Sequence, residues 1–237
     1  MKVDVKNEDG VAVLTMDNGE NRMSGPFVDL LHETLDALSG DAEVKAVVVT
    51  GAEEKYFSNG LDLAWIVKSP RPSWLPFLVR WEELLHKAFT YPKPLVAAMN
   101  GHAFAGGLFF ALCADWRVMR KDKGWCCVPE IDLNLNLPPG NTALVAYAAG
   151  TKNADRLALS GMRVNAEKAM EMGLVDEVAA KDDVIPQARV AALRLAAKPP
   201  LMFTAMKRNI RSGPALLLKE EDPRYLKEMF ETEQVFA

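Results

Sequence analysis

Residues 100–115 read NGHAFAGGLFFALCAD, in which Gly106 and Gly107 run straight into Leu108, Phe109 and Phe110. An apolar helix opened by glycine presents free backbone N–H groups and a partial positive charge in its first turn. Glycine also leaves room for a substrate oxygen to come close to those donors. The same pair serves equally well to let a helix pack tightly on a strand. No acid precedes Asp115 in the stretch, so any proton chemistry has to come from elsewhere in the chain.

Just upstream, residues 94–101 (PLVAAMNG) form a continuous apolar run, the pattern of a buried strand, and residues 45–51 (KAVVVTG) do the same. Gly51 and Gly101 lie fifty residues apart, and each ends such a strand. This weak repeat suggests stacked strand–helix turns. Residues 11–16 predict a further strand. A helix is predicted from an N-cap at Ser24, through Pro26 in the first turn, to Gly40. Another is predicted after Ser73, ending before Pro92. Beyond Asp115, residues 116–128 read as strand-like pieces around a charged turn. Residues 138–150, 151–161 and 165–173 read as helices, then 174–178 as a short strand. Helices follow over 183–198 and 201–213, and a charged amphipathic one over 216–236. The class is α/β, with a core over 1–182 and a helical region over 183–237.

The 237 residues are 49% hydrophobic and 25% charged, an ordinary globular composition that can bury a sizeable core. A net charge of -4 gives no reason to expect nucleic acid or an anionic membrane as partner. The charged N-terminus lacks the apolar segment of a secretory signal, and no apolar run reaches membrane-spanning length. The C-terminal EQVFA carries no peroxisomal or retention signal, so the expected location is cytoplasmic. Cys113, Cys126 and Cys127 read as small hydrophobes in a reducing compartment. The scattered His32, His86 and His102 show no metal-ligand spacing, and no metal is expected.

Two more stretches carry candidate chemistry. Residues 55–63 (KYFSNGLDL) form a loop after the strand that ends at Gly51. If this loop and the Gly106 turn each offer one N–H to a common point, they make an oxyanion hole. Residues 128–140 (VPEIDLNLNLPPG) place Glu130 among apolar neighbours, where burial raises a carboxyl pKa toward that of a useful general base. A surface carboxylate at a turn is the plainer alternative.

Taken together, the loop FSNGLDL, the strand–loop PLVAAMNGHAFAGG, the following ALCAD and VPEIDL resemble the crotonase (enoyl-CoA hydratase/isomerase) superfamily in order and spacing. The likeness runs from about residue 11 to 178, with GMRVNAEKAMEMGLVDEV matching the region past the active site. The resemblance implies a ββα spiral core with a helical C-terminal region that builds a homotrimer or a dimer of trimers. It implies acyl-CoA thioester substrates, with CoA part of the substrate and no separate cofactor. By motif position the backbone N–H groups of Leu61 and Gly106 form the oxyanion hole. Ser58, Asn59 and Gly60 line the bend where CoA enters, and Lys55, or Lys207 and Arg208, reach its phosphates. Trp65, Trp74, Trp81 and Phe104 are candidates to wall the acyl tail, or equally core residues.

Hydratases of this kind use two carboxylates. One matches Glu130; the other falls where this chain has Phe109, a ring that cannot activate water and dries the pocket. A single carboxylate suffices to move a proton between C2 and C4 of a 3-enoyl thioester. The Met119–Gly124 turn (MRKDKG) and EIDL also look most like Δ3,Δ2-enoyl-CoA isomerases. That activity, a step in oxidising unsaturated fatty acids, is the expectation. The alternatives are another acyl-CoA enzyme of the fold (hydratase, thioesterase, dehalogenase or decarboxylase, drawing on Asp132 or His102) or a non-catalytic CoA-ester binder. Residues 134–136 depart from the hydratase pattern, and Pro138 comes one residue late.

Overall fold

The computed structural model describes residues 1–232. The strands among them are β1 (Lys2–Glu8), β2 (Val11–Asp17), β3 (Ala46–Gly51), β4 (Tyr56–Ser58), β5 (Leu95–Met99), β6 (His102–Phe104), β7 (Trp116–Arg120), β8 (Trp125–Cys127), β9 (Val164–Asn165) and β10 (Glu177–Ala179). The helices are α1 (Gly25–Gly40), α2 (Leu63–Lys68), α3 (Trp74–Phe89), α4 (Gly106–Leu112), α5 (Pro139–Ala149), α6 (Thr151–Ser160), α7 (Ala166–Glu171), α8 (Val184–Ala196), α9 (Pro200–Ile210), α10 (Ser212–Leu216) and α11 (Asp222–Glu231). A π-helical segment, Leu217–Glu221, joins the last two.

Two sheets organise the chain: a six-stranded one in the order β1-β2-β3-β5-β7-β10 and a four-stranded one, β4-β6-β8-β9. Each of β3, β5 and β7 lies in the large sheet, and the next strand, β4, β6 or β8, lies in the small one. After β4 and β6 a helical segment returns the chain directly to the large sheet; after β8 the return to β10 passes through α5, α6, the small-sheet strand β9 and α7. The fifty-residue repeat is thus one turn of a ββα spiral, with parallel neighbours along β2-β3-β5-β7-β10. β3 and β5 are buried on both faces, as their unbroken Val/Ala/Leu runs require. One face of the large sheet supports the main core; α8 covers the other through Val184, Ala188, Ala191 and Ala192.

The α1 boundaries follow the predicted N-cap at Ser24 and end at Gly40, although the Ser24 side chain makes no capping bond. Three features differ from the sequence reading. β1 forms a hairpin with β2 through Asp9 and Gly10, both at positive φ. Its residues are mostly exposed, so they lack the apolar alternation that marks a half-buried strand. Glu130–Leu133 is a 3-10 turn rather than extended chain, which buries Glu130 and exposes Asp132. The predicted helix over 216–236 is divided among α10, the π-segment and α11, and its last residues lie outside the described ones. No described helix is long and apolar enough to cross a membrane.

Candidate active site

A cavity of about 360 Å³ opens among the loops after β4, β6 and β8 and the helices α3, α5 and α11. Its size suits a small-molecule ligand. Leu61, Gly106, Phe109 and Glu130, four residues the sequence singled out, all line it.

The loop after β4 is shaped by Gly60, whose φ of +79° is a conformation that side-chain-bearing residues avoid. Met23 N–H donates to Gly60 O at 2.9 Å and Asp62 N–H to Met23 O at 3.0 Å. In such a bridge the intervening residue, Leu61, turns its own N–H to the opposite side. The second loop reaches α4 through Ala105, held at φ +50° and ψ -127°. A non-glycine residue there stores strain that the surrounding structure has to hold. Gly106 then opens α4, so its N–H has no acceptor within the helix. The two loops touch: a Cβ at Gly106 would lie 3.5 Å from Leu61 N, and one at Gly60 would lie 3.1 Å from Gly106 N. Gly107 permits this approach, since a Cβ there would collide with the Ser58 carbonyl.

Glu130 enters from the 3-10 turn. Its carboxyl is buried, and Oε2 has no hydrogen-bond partner. Burial pushes its pKa up to about 7, against a smaller opposing effect from its own backbone hydrogen bond. Phe109, on α4, is buried and faces the same space. The departure at residues 134–136 proves to be wall: Asn134 adopts φ +54°, and Leu135, Asn136, Leu137 and Pro138 line the cavity. Asn136 Nδ2 donates to Tyr225 Oη, tying this wall to α11.

The remaining expectations divide. Asn59 lines the cavity and donates to Glu20 Oε2 at 2.8 Å, but Ser58 is fully buried behind it. The Ser58 hydroxyl donates to Asn21 O at 2.7 Å and builds the loop rather than its surface. Lys207 requires a correction. Its ammonium is buried against Asp115 Oδ2 at 2.8 Å, beside Arg211, and lines no part of the cavity. Burial depresses its pKa to about 8, and Asp115 opposes the shift. The cations that do line the cavity are the exposed Arg163, over the Phe104 ring, and the half-buried Arg22. Sequence reading offered no signal for either, because a single arginine in a polar stretch is indistinguishable from a solvated one.

Trp81 and Phe104 line the cavity; Trp65 instead packs on Phe77, and the Trp74 indole donates to Ser69 O at 3.0 Å. His102 stacks on Phe104 outside the cavity wall, and the exposed Asp132 is not part of it. A second buried carboxyl, unforeseen in the sequence, does line it: Glu82 on α3. Both its oxygens accept from Asn141 Nδ2, at 2.9 and 2.8 Å. Burial and the neighbouring Asp222 push its pKa well up. Among the described residues no group of three or more His, Cys, Asp or Glu side chains is placed to hold a metal.

The enoyl-CoA hydratase/isomerase family profile matches residues 6–234. The chain is 34% identical over 189 residues to the Arabidopsis thaliana peroxisomal enoyl-CoA delta isomerase 2, covering 76% of this chain and 77% of that one. It is 29% identical over 187 residues to a Salmonella paratyphi A carnitinyl-CoA dehydratase, covering 79% and 70%. The human mitochondrial delta3-delta2-enoyl-CoA isomerase superposes with a TM-score of 0.93 at 23% identity, over 100% of this chain and 94% of that one. A probable enoyl-CoA hydratase of Mycobacterium tuberculosis superposes with a TM-score of 0.90 at 25% identity, over 98% and 97%. This chain belongs to the enoyl-CoA hydratase/isomerase family. It is an enzyme of that family, with isomerase or hydratase activity.

Proposed function

We propose that the protein is a Δ3,Δ2-enoyl-CoA isomerase that converts 3-enoyl-CoA to 2-trans-enoyl-CoA. The observation that carries the reading is the pairing of Glu130 with Phe109 on one cavity wall: a base of raised pKa, and a ring where a hydratase would hold its second acid. The delta isomerases of Arabidopsis at 31–34% identity support it.

In this mechanism the Glu130 carboxylate removes a proton from C2. The electrons of that C–H bond form a dienolate whose charge rests on the thioester oxygen. The N–H groups of Leu61 and Gly106 hold that oxygen, in a site where apolar walls strengthen such bonds. Glu130 then returns the proton to C4, the double bond moves to C2–C3, and the carboxylate is regenerated. No cofactor takes part, because CoA arrives with the substrate. Glu82 does not compete as base, since Asn141 engages both its oxygens. Arg22 and Arg163 take the place expected of Lys207 near the polar part of CoA.

The apolar Leu201, Met202, Met206 and Ile210 of α9 are all exposed. They support assembly into a homotrimer or a dimer of trimers through the C-terminal region. Three free buried cysteines suit the reducing cytoplasm.

The test is a Glu130→Gln variant assayed with 3-enoyl-CoA. Loss of isomerisation in a normally folded protein is expected, and full turnover would overturn the reading.

A further inference from the structure

The inner end of the cavity holds a polar cluster that the isomerase mechanism does not use. Asp222 begins α11 and points at the start of α5, where its Oδ1 accepts the Gly140 N–H at 2.6 Å. A carboxylate at a helix N-terminus is stabilised by the backbone donors and the helix dipole, so the negative charge of the cluster settles on Asp222. Glu82, 3% exposed on α3, lies beside it, and burial with the Asp222 charge raises its pKa, while Asp222 Oδ2 is buried with no hydrogen-bond partner.

This arrangement fixes Asn141. Its Nδ2 donates to both Glu82 oxygens, at 2.9 and 2.8 Å. Its Oδ1 takes no part in these bonds and is buried with no hydrogen-bond partner. Asn141 is 2% exposed and lines the cavity beside Leu78 and Leu226. A buried carbonyl oxygen left without a donor is unfavourable, and a ligand that supplies one gains from it.

We propose that Asn141 Oδ1 is an acceptor subsite for a hydroxyl group carried on the acyl chain, so that the preferred substrates are hydroxylated acyl-CoA thioesters. The occupant has to donate a hydrogen bond. It is neutral, because the acceptor is an amide and the neighbouring Asp222 carboxyl is already held by the start of α5. It sits on an otherwise apolar wall, which suits an alcohol on a hydrocarbon chain. The substrate class rests on the acyl-CoA reading above; the acceptor geometry does not.

The test measures calorimetric affinity for saturated acyl-CoAs of one chain length, either plain or carrying a single hydroxyl at successive positions. One position is expected to bind about tenfold tighter than the plain chain, the worth of a buried hydrogen bond. Equal affinity at every position, as a water already held on Oδ1 would give, overturns the proposal. In Asn141→Leu the ratio between hydroxylated and plain chains is expected to fall to about one, and a retained ratio overturns the assignment to Asn141. Asn141→Ala serves if the leucine variant fails to fold, and the wild-type panel decides alone if both do. Saturated chains are not isomerised. A hydroxyl preference without 3-enoyl turnover therefore overturns the isomerase reading only, and turnover without the preference overturns the subsite only.

Discussion

Lys207 Nζ lies 2.8 Å from Asp115 Oδ2, with the two side chains 5% and 8% exposed. Asp115 also accepts from Arg211 at 2.9 Å and from the Leu95 backbone N–H at 2.8 Å. One carboxylate thus ties α9 and the segment after it to the end of α4 and the start of β5. Asp115→Ala leaves two buried cations uncompensated and is expected to cost about 3–5 kcal/mol in chemical denaturation. Lys207→Met costs less, because Arg211 still holds Asp115, and it leaves KM for the CoA ester unaltered. A large KM increase in that variant would restore Lys207 to the binding site.

Glu130 works as a base only when ionised. With its pKa near 7, kcat/KM for isomerisation is expected to fall about tenfold per pH unit below 7 and to level off above it. Glu130→Gln removes the base and lowers kcat by about 10²- to 10⁴-fold. A wild-type profile flat from pH 5 to 8 would contradict the assignment.

The same shift couples to stability. The folded protein holds the Glu130 proton up to about pH 7, whereas the ordinary value is 4.5, so between these limits the native state binds more protons than the unfolded chain. Stability from this group therefore falls as pH rises from about 4.5 to 7, by about 3 kcal/mol in all. Glu130→Gln escapes that loss. Its Tm is expected to exceed that of wild type at pH 8 and to approach it at pH 5.

On the proposed mechanism, Phe109 makes hydration the disfavoured reaction. Crotonyl-CoA hydration is expected at least about 100-fold slower than 3-enoyl isomerisation, the usual worth of a positioned acid–base group. Phe109→Glu should raise the hydration-to-isomerisation ratio. Comparable rates in wild type would show that the ring does not exclude the water step.

The exposed α9 face gives a solution test. Light scattering is expected to show a trimer or hexamer, and Met206→Glu with Ile210→Glu should shift it toward smaller species, since both residues are about two-thirds exposed in the single chain. A wild-type monomer would overturn the assembly.

Much of the spiral was legible in the chain because its central large-sheet strands, β3 and β5, are buried on both faces. Continuous runs such as AVVVTG and LVAAM therefore announce themselves. β4, β6 and β8 have three residues each, too few for any periodicity. The exposed β1 carries no apolar stripe. At the site, the motif order led to Leu61, Gly106, Phe109 and Glu130 because their roles depend on local backbone turns, which local sequence encodes.

Only the tertiary structure decided what reaches the cavity from far along the chain. Glu82, Asn141 and Asp222 are ordinary polar residues on three separate helices, and their meaning comes from mutual burial. Lys207 read as a surface cation because sequence shows its charge and not its neighbours; packing α9 on the core set it against Asp115. The sequence determined the spiral and led to Leu61, Gly106 and Glu130, which line one cavity, since each follows from a short stretch of chain. The third dimension decided which charges face the ligand and which face each other, since burial and pairing belong to the packed molecule.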